Sequence, residues 1–306
     1  MIRVIAFIST YILGIALTWA QVKSETILIK NDSIELPGTL TYSEGDSQLI
    51  IWVHGSGNVD RNGNQGKSVR ASYIQQFRKA INVNKIAFFS YDKRTSNPKN
   101  MKFLMGTSFG DLVEDARIVV NHFKKSKRFS EIIIAGHSQG SLIGMLISKD
   151  ADKYISIAGP SSSIDKTITE QIGVNAPMLK PITMAHFKEL KETGNVKEVN
   201  PYLTSIFAKQ NFAFLRDWMQ FDPIQEIQKL KIPTLIINGN KDLQVKVEDA
   251  KALHKAKPTS TLAIINRMNH ILIELEKDSD NLKSYSTPGF LMSDELIVSI
   301  LNFVKK

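Results

Sequence analysis

Two kinds of apolar pattern alternate along this chain. Continuous apolar runs occupy residues 48–53, 86–91, 131–135, 154–158, 233–238 and 261–265. Runs of that length predict strands buried on both faces. Between them, apolar residues recur at spacings of three and four. Tyr73, Phe77, Ala80 and Ile81 predict a helix over 68–81. Leu112, Val113, Ala116, Val119, Val120 and Phe123 form one stripe over 111–123, with acidic residues in its first turns. Residues 142–147, 248–256 and 294–304 are also helical in pattern. Strand and helix thus alternate from 48 to 158, which predicts a parallel sheet with right-handed crossovers. Residues 26–30 and 34–42 instead alternate apolar and polar positions and are separated by Asn31-Asp32-Ser33. They predict antiparallel strands at one sheet edge.

The alternation breaks over 161–222. This stretch has helix-like spacing, is rich in aromatics and methionine (Phe187, Phe207, Phe212, Phe214, Trp218, Met219), and contains no clear strand. The expected architecture is α/β: a mostly parallel central sheet flanked by helices, with a helical cap insertion. The body is assigned to residues 21–160 and 223–306 and the cap to 161–222. Residues 277–290 are expected to form a polar loop and 95–109 a long connection.

Residues 1–20 have a different character. Arg3 precedes a mostly apolar run over 4–17, and Thr18-Trp19-Ala20 ends on a small residue. This is the pattern of a cleaved signal peptide, with an uncleaved anchor as the alternative. The expectation is a secreted or periplasmic protein with no stable membrane insertion after cleavage. There is no cysteine, so disulfides, thiolate nucleophiles and cysteine metal sites are excluded. The net charge is +9, but the one tight basic cluster, Lys124 to Arg128, closes a predicted helix, where the helix dipole favours cations. No aromatics are interleaved with it, and a nucleic-acid partner is not expected. No His, Asp and Glu residues have metal-ligand spacing.

The candidate chemistry is centred on Gly136-His137-Ser138-Gln139-Gly140, between the strand at 131–135 and the helix at 142–147. A serine flanked by glycines at a tight strand-to-helix turn is a nucleophile elbow. The Gln139 N–H then lies at a helix N-terminus, where it can donate to an oxyanion. A second donor is expected from His54-Gly55-Ser56-Gly57, after the strand at 48–53. Ser56 is the expected donor, with Gly57 as the alternative, and Gly55 and Gly57 allow close approach of substrate. Asp60 and Arg61, in the polar loop that follows, are expected to pair with each other. A serine nucleophile needs a base and a carboxylate to orient it. Asp242 follows the strand at 233–238 and His270 the strand at 261–265, so Ser138, Asp242 and His270 share one sheet edge. Asp222, before a proline, is the weaker acid candidate. His122, His186 and His254 are expected on surfaces of body or cap, His54 to shape its loop, and His137 to point away from the nucleophile.

From residue 48 onward the chain resembles the α/β-hydrolase superfamily. More closely, it is similar to serine esterases and lipase-like hydrolases with an HGSG…DRNG loop, a YDKR segment, a GHSQG elbow, a PTLIINGNKDLQV acid loop and an MNH histidine loop. The resemblance implies the α/β-hydrolase fold, Ser138, Asp242 and His270 as catalytic triad, and Gln139 with Ser56 as oxyanion hole. It departs from the family after YDKR, where Thr95-Ser96-Asn97 stands in place of Gly-x-Gly on a loop that lines the site edge. The expected activity is hydrolysis of a small-molecule carboxylic ester through an acyl-enzyme, without cofactor. Amide, peptide or thioester hydrolysis by the same triad, and a non-catalytic binding role, are the alternatives.

Overall fold

The apolar runs pair side by side in a single eight-stranded sheet of order β1-β2-β4-β3-β5-β6-β7-β8. The computed structural model describes residues 21–306, so the expected targeting segment lies outside the described residues. The strands are β1 (Lys23–Asn31), β2 (Ile34–Tyr42), β3 (Gln48–Val53), β4 (Ala87–Tyr91), β5 (Glu131–His137), β6 (Lys153–Ile157), β7 (Thr234–Gly239) and β8 (Thr261–Ile265). From β4 to β8 every pairing is parallel, and β2 is antiparallel to both its neighbours. The order predicted from the pattern is therefore present: an antiparallel edge on a parallel sheet.

The helices lie on both faces. They are α1 (Tyr73–Asn82), α2 (Phe109–Ser126), α3 (Gln139–Ile147), α4 (Ile164–Asn175), α5 (Lys180–Thr193), α6 (Phe212–Trp218), α7 (Pro223–Gln228), α8 (Val247–Ala256), the single turn α9 (Lys283–Ser286) and α10 (Asp294–Val304). Strand residues alternate between two cores. Leu49, Ile51, Val53, Ile132 and Ile134 pack with α2 and α3, whereas Ile50, Trp52, Ile133 and Ala135 pack with α1 and α10. Each fully buried side chain of this size contributes roughly 1.5–3 kcal/mol by leaving water, which explains why these strands read as unbroken apolar runs. Between β6 and β7 the chain runs through α4 to α7. Phe187, Leu190, Phe207, Leu215 and Trp218 join the same apolar body as α2 and α3.

Three expectations need correcting. The helix expected over 68–81 begins only at Tyr73. The preceding residues are tied into a turn, because Gln65 and Val69 pair and the Asn64 side chain accepts from the Ser72 N–H at 3.0 Å. Helix α2 starts earlier than expected, at Phe109, because Ser108 and Asp111 cap it reciprocally. Residues 277–290 are not all loop, since α9 lies within them. No helix among the described residues is long and apolar enough to cross a membrane.

Sheet register decides what meets at the carboxyl edge. Val53 is opposite Gly136, so His54 and His137 emerge together. Gly239 is opposite Ile265, so the loops after β7 and β8 leave the sheet side by side.

Candidate active site

Ser138 stands at the junction of β5 and α3 with φ 54° and ψ −119°, a backbone conformation a serine adopts only under constraint. The constraint is visible on every side. The Ser138 N–H donates to the Ile157 carbonyl at 2.9 Å, and its own carbonyl accepts from the Ser141 N–H at 2.9 Å. A Cβ on Gly136 would come within 2.3 Å of the Gly140 carbonyl oxygen, and one on Gly140 within 2.1 Å of the Val53 carbonyl oxygen. Only glycine fits at either position, and the turn closes because both are glycine.

Asp242 and His270 are paired. His270 Nδ1–H donates to Asp242 Oδ2 at 2.7 Å, and the Asp242 side chain is fully buried. The other carboxylate oxygen accepts from the Gln244 and Val245 N–H groups at 2.7 and 2.9 Å. The aspartate is thus held by its own loop and leaves one oxygen for the imidazole. The histidine loop is folded on Asn269, whose side chain accepts from the Ile273 N–H at 3.0 Å and donates to Ser284 Oγ at 2.8 Å. His137 reaches across from the elbow, and its Nε2–H donates to the His270 carbonyl at 2.8 Å. Burial drives the pKa of His137 down to about 3, so it is a neutral donor. It does not simply point away from the nucleophile, as expected from sequence, but anchors the backbone of His270.

The loop after β3 closes the third side. His54 is buried and held neutral, its pKa pushed down to about 3 by burial, and it bonds the Tyr91 carbonyl through Nε2. Gly55 lies against the elbow, so that a Cβ there would come within 3.2 Å of Ser138 Cβ. Among the described residues, neither the Ser56 N–H nor the Gln139 N–H donates a hydrogen bond.

Gly55, Ser56, Gly57, Ser138, Gln139 and His270 all line one cavity of about 1090 Å³, with Asp242 behind His270. Ser138 and His270 both line the cavity, with no hydrogen bond from Ser138 Oγ among the described residues. α4 contributes Ile164, Ile168 and Ile172, α6 Phe214, Leu215 and Trp218, and the connection before α2 Leu104 and Met105, alongside the polar Thr167, Gln171, Gln210 and Asn211. Thr95, where the chain departs from Gly-x-Gly, lines the cavity, and its hydroxyl donates to the Gly57 carbonyl at 3.4 Å. Among the described residues, no aspartate, glutamate or arginine lines the cavity, and Lys93 is the one lysine that does.

Three nearby assignments change. Arg61 does not pair with Asp60 but with Asp92, at 2.7 and 2.9 Å. Asp60 is used within its own turn, where it accepts from the Asn62 and Asn64 N–H groups. His186 is buried rather than on a surface and accepts from the Asn200 N–H at 3.0 Å. Asp222 is the N-cap of α7, accepting from the Ile224 N–H at 2.9 Å, and is remote in role from the imidazole.

Lys93 was not singled out by sequence. Three charged residues follow β4, and nothing local says which turns inward. Asp92 goes to Arg61 and the buried Arg94 to Asp115, whereas the buried Lys93 turns to the loops around Ser138, with Nζ donating to the Gly55 carbonyl at 2.8 Å and to Gln139 Oε1 at 2.7 Å. Burial pushes its pKa down to about 7, opposed by the charge of Asp115.

Comparison with known proteins agrees with this architecture. Est1E from Butyrivibrio proteoclasticus superposes with a TM-score of 0.58 at 17% identity, covering 92% of this chain and 99% of that one. The Pyrococcus furiosus esterase Pf2001 superposes with a TM-score of 0.59 at 16% identity, covering 94% and 91%. Esterase EstD of Thermotoga maritima is 25% identical over 257 residues, 80% of this chain. This chain spans 60% of the length of EstD. The model of the BD-FAE family matches residues 39–256, a span that contains Gly55, Ser138 and Asp242 and stops short of His270. With more than half of its length matched and an α/β-hydrolase fold around the elbow, the chain belongs to the BD-FAE family.

Proposed function

We propose that this protein is a serine esterase that cleaves neutral carboxylic esters through Ser138, His270 and Asp242. The observation that carries the reading is the buried Asp242–His270 bond of 2.7 Å, presented on the same cavity as a serine held at positive φ. His270 Nε2 takes the Ser138 proton as Oγ attacks the ester carbonyl. Asp242 keeps Nδ1 protonated and the ring in the productive tautomer, and stabilises the imidazolium. The free N–H groups of Gln139 and Ser56 receive the oxyanion. The imidazolium protonates the leaving alcohol, then the neutral imidazole activates water, which releases the acid and restores Ser138. The open contact between Ser138 and His270 closes when substrate fills the cavity, as catalytic hydrogen bonds commonly do.

The choice of substrate follows from the walls. A cavity lined, among the described residues, by no aspartate, glutamate or arginine, and by isoleucine and aromatic side chains of α4 and α6, favours an uncharged substrate with an apolar acyl group. α4 and α6 act as the cap that supplies this wall. The test is hydrolysis of p-nitrophenyl esters of increasing acyl length by wild type and Ser138→Ala. Turnover that disappears in the variant is the expected result. A serine that reacts with a fluorophosphonate, in an enzyme that hydrolyses no ester, redirects the reading to amide or thioester substrates. Folded protein negative in both assays overturns it.

A further inference from the structure

Lys93 contributes to none of the steps above, yet it joins the two loops that carry them. It is only 6% exposed, and no carboxylate pairs with it among the described residues. The acid whose charge acts on it, Asp115, is already bound twice by Arg94, at 2.6 and 2.8 Å. Its main chain is fixed by the Lys93 N–H bond to Val59 and the Ser96 N–H bond to the Lys93 carbonyl. A long side chain is therefore buried to place Nζ between the Gly55 carbonyl, on the β3 loop, and the Gln139 side chain, at the start of α3.

A planar trans peptide points its carbonyl and its N–H in opposite directions. The Gly55–Ser56 peptide has its carbonyl on Lys93, so its N–H faces away from Lys93. Turning that peptide over changes ψ of Gly55 and φ of Ser56, and Gly55, with no side chain, offers little resistance to it. A turned peptide would present a carbonyl where an anion must form. We infer that Lys93 is a positioning residue for the oxyanion hole: by holding the Gly55 carbonyl against Gln139 it keeps the Ser56 N–H aimed at the oxyanion of a Ser138 adduct. Nζ carries two N–H bonds even as a neutral amine, so both ties survive loss of its proton. The inference rests on the serine-esterase reading above.

The test compares wild type with Lys93→Met, which keeps the stem and removes the donors. Reactive serine is counted first by end-point fluorophosphonate labelling. The expected result is a kcat per titrated serine 10²- to 10³-fold lower, the usual effect of losing one oxyanion donor, with KM within about threefold of wild type on the same argument. Affinity for a trifluoromethyl ketone, which forms the tetrahedral oxyanion, should fall in parallel with kcat. A purely structural role would lower the labelled fraction and the urea midpoint while leaving kcat per labelled serine unchanged, and that result overturns the inference. If Lys93→Met does not fold, the wild-type adduct with a boronic acid decides. Its crystal structure should keep the Gly55 carbonyl on Nζ and bring Ser56 N within hydrogen-bond distance of the boronate oxygen. A peptide turned the other way overturns the inference. Wild type that neither turns over esters nor labels fails the esterase reading itself, and the role of Lys93 falls with it.

Discussion

On the sheet side of the cavity, the residues proposed for the chemistry are positioned by specific partners. Ser138 is fixed by two backbone bonds and two glycines, His270 by Asp242 and His137, and the Gly55 carbonyl by Lys93. On the helical side, α4 and α6 offer isoleucine, leucine and aromatic side chains held by apolar packing, such as Trp218 stacked on Phe109 with centroids 5.1 Å apart. Hydrogen bonds and backbone contacts fail when atoms shift by half an ångström, whereas apolar packing tolerates substitution of similar volume. Chemistry that needs fixed distances is therefore on the first side, and a wall that can accommodate different acyl groups is on the second.

The comparison can be broken most severely at the sheet edge. Ser138→Ala should lower kcat/KM by about 10⁴-fold or more, and Asp242→Asn by about 10⁴-fold, because the triad acts as a unit. Steady-state ester hydrolysis checks both, and a Ser138→Ala enzyme with substantial activity would remove the nucleophile assignment. Gly140→Ala should destabilise the fold by more than about 4 kcal/mol, since its Cβ would collide with backbone and nothing flexible can yield. Urea unfolding measures that cost.

Acid sensitivity should also trace to this side. His54 and His137 are held at about 3 in the folded state, below the ordinary histidine value of 6.5. Between those values the unfolded chain binds protons that the folded chain refuses. Stability is fully present above pH 6.5 and is lost as pH falls towards 3, by about 1.4 kcal/mol per pH unit for each histidine. Urea midpoints between pH 7 and pH 4 should show this slope, and His54→Asn should reduce it by about half. An unchanged slope would mean that the acid response originates elsewhere.

Smaller effects are expected on the helical side. Trp218→Ala should raise KM about tenfold for long-chain esters and hardly change it for acetate, since loss of apolar contact in a pocket is worth about 1–3 kcal/mol. Equal effects on all chain lengths would contradict the wall assigned to α6. Gly173→Ala, inside α4, meets only the flexible Lys180 side chain. It should stabilise the protein by about 0.5–1 kcal/mol through helix propensity, the opposite sign to Gly140→Ala. A large destabilisation there would show that the helical wall is as tightly specified as the elbow.

Much of the site was legible because its signals are local. The Gly-x-Ser-x-Gly turn requires glycine at fixed offsets, and buried parallel strands need unbroken apolar runs, so 131–135 and the elbow could be read together. Asp242 and His270 were found because each follows such a run. Charged residues in loops were harder. Asp60 and Arg61 are adjacent in sequence, but Asp92, brought in by β4, gives the guanidinium a bidentate partner, while backbone N–H groups occupy Asp60. His186 has helical spacing like a surface residue, and its burial depends on the chain at Asn200 folding back over it.

The residue pattern indicated most strands and helices, the tight turn at Ser138 and the side chains proposed for acid, base and oxyanion roles, because periodicity, glycine and chain order act over a few residues. The order in which strands pair, the meeting of His137 with the His270 carbonyl, and the turning of Lys93, rather than Asp92 or Arg94, to the Gly55 carbonyl came with the folded sheet. Those contacts join residues from 38 to 133 positions apart, and they form only when parallel register brings distant loops to one edge.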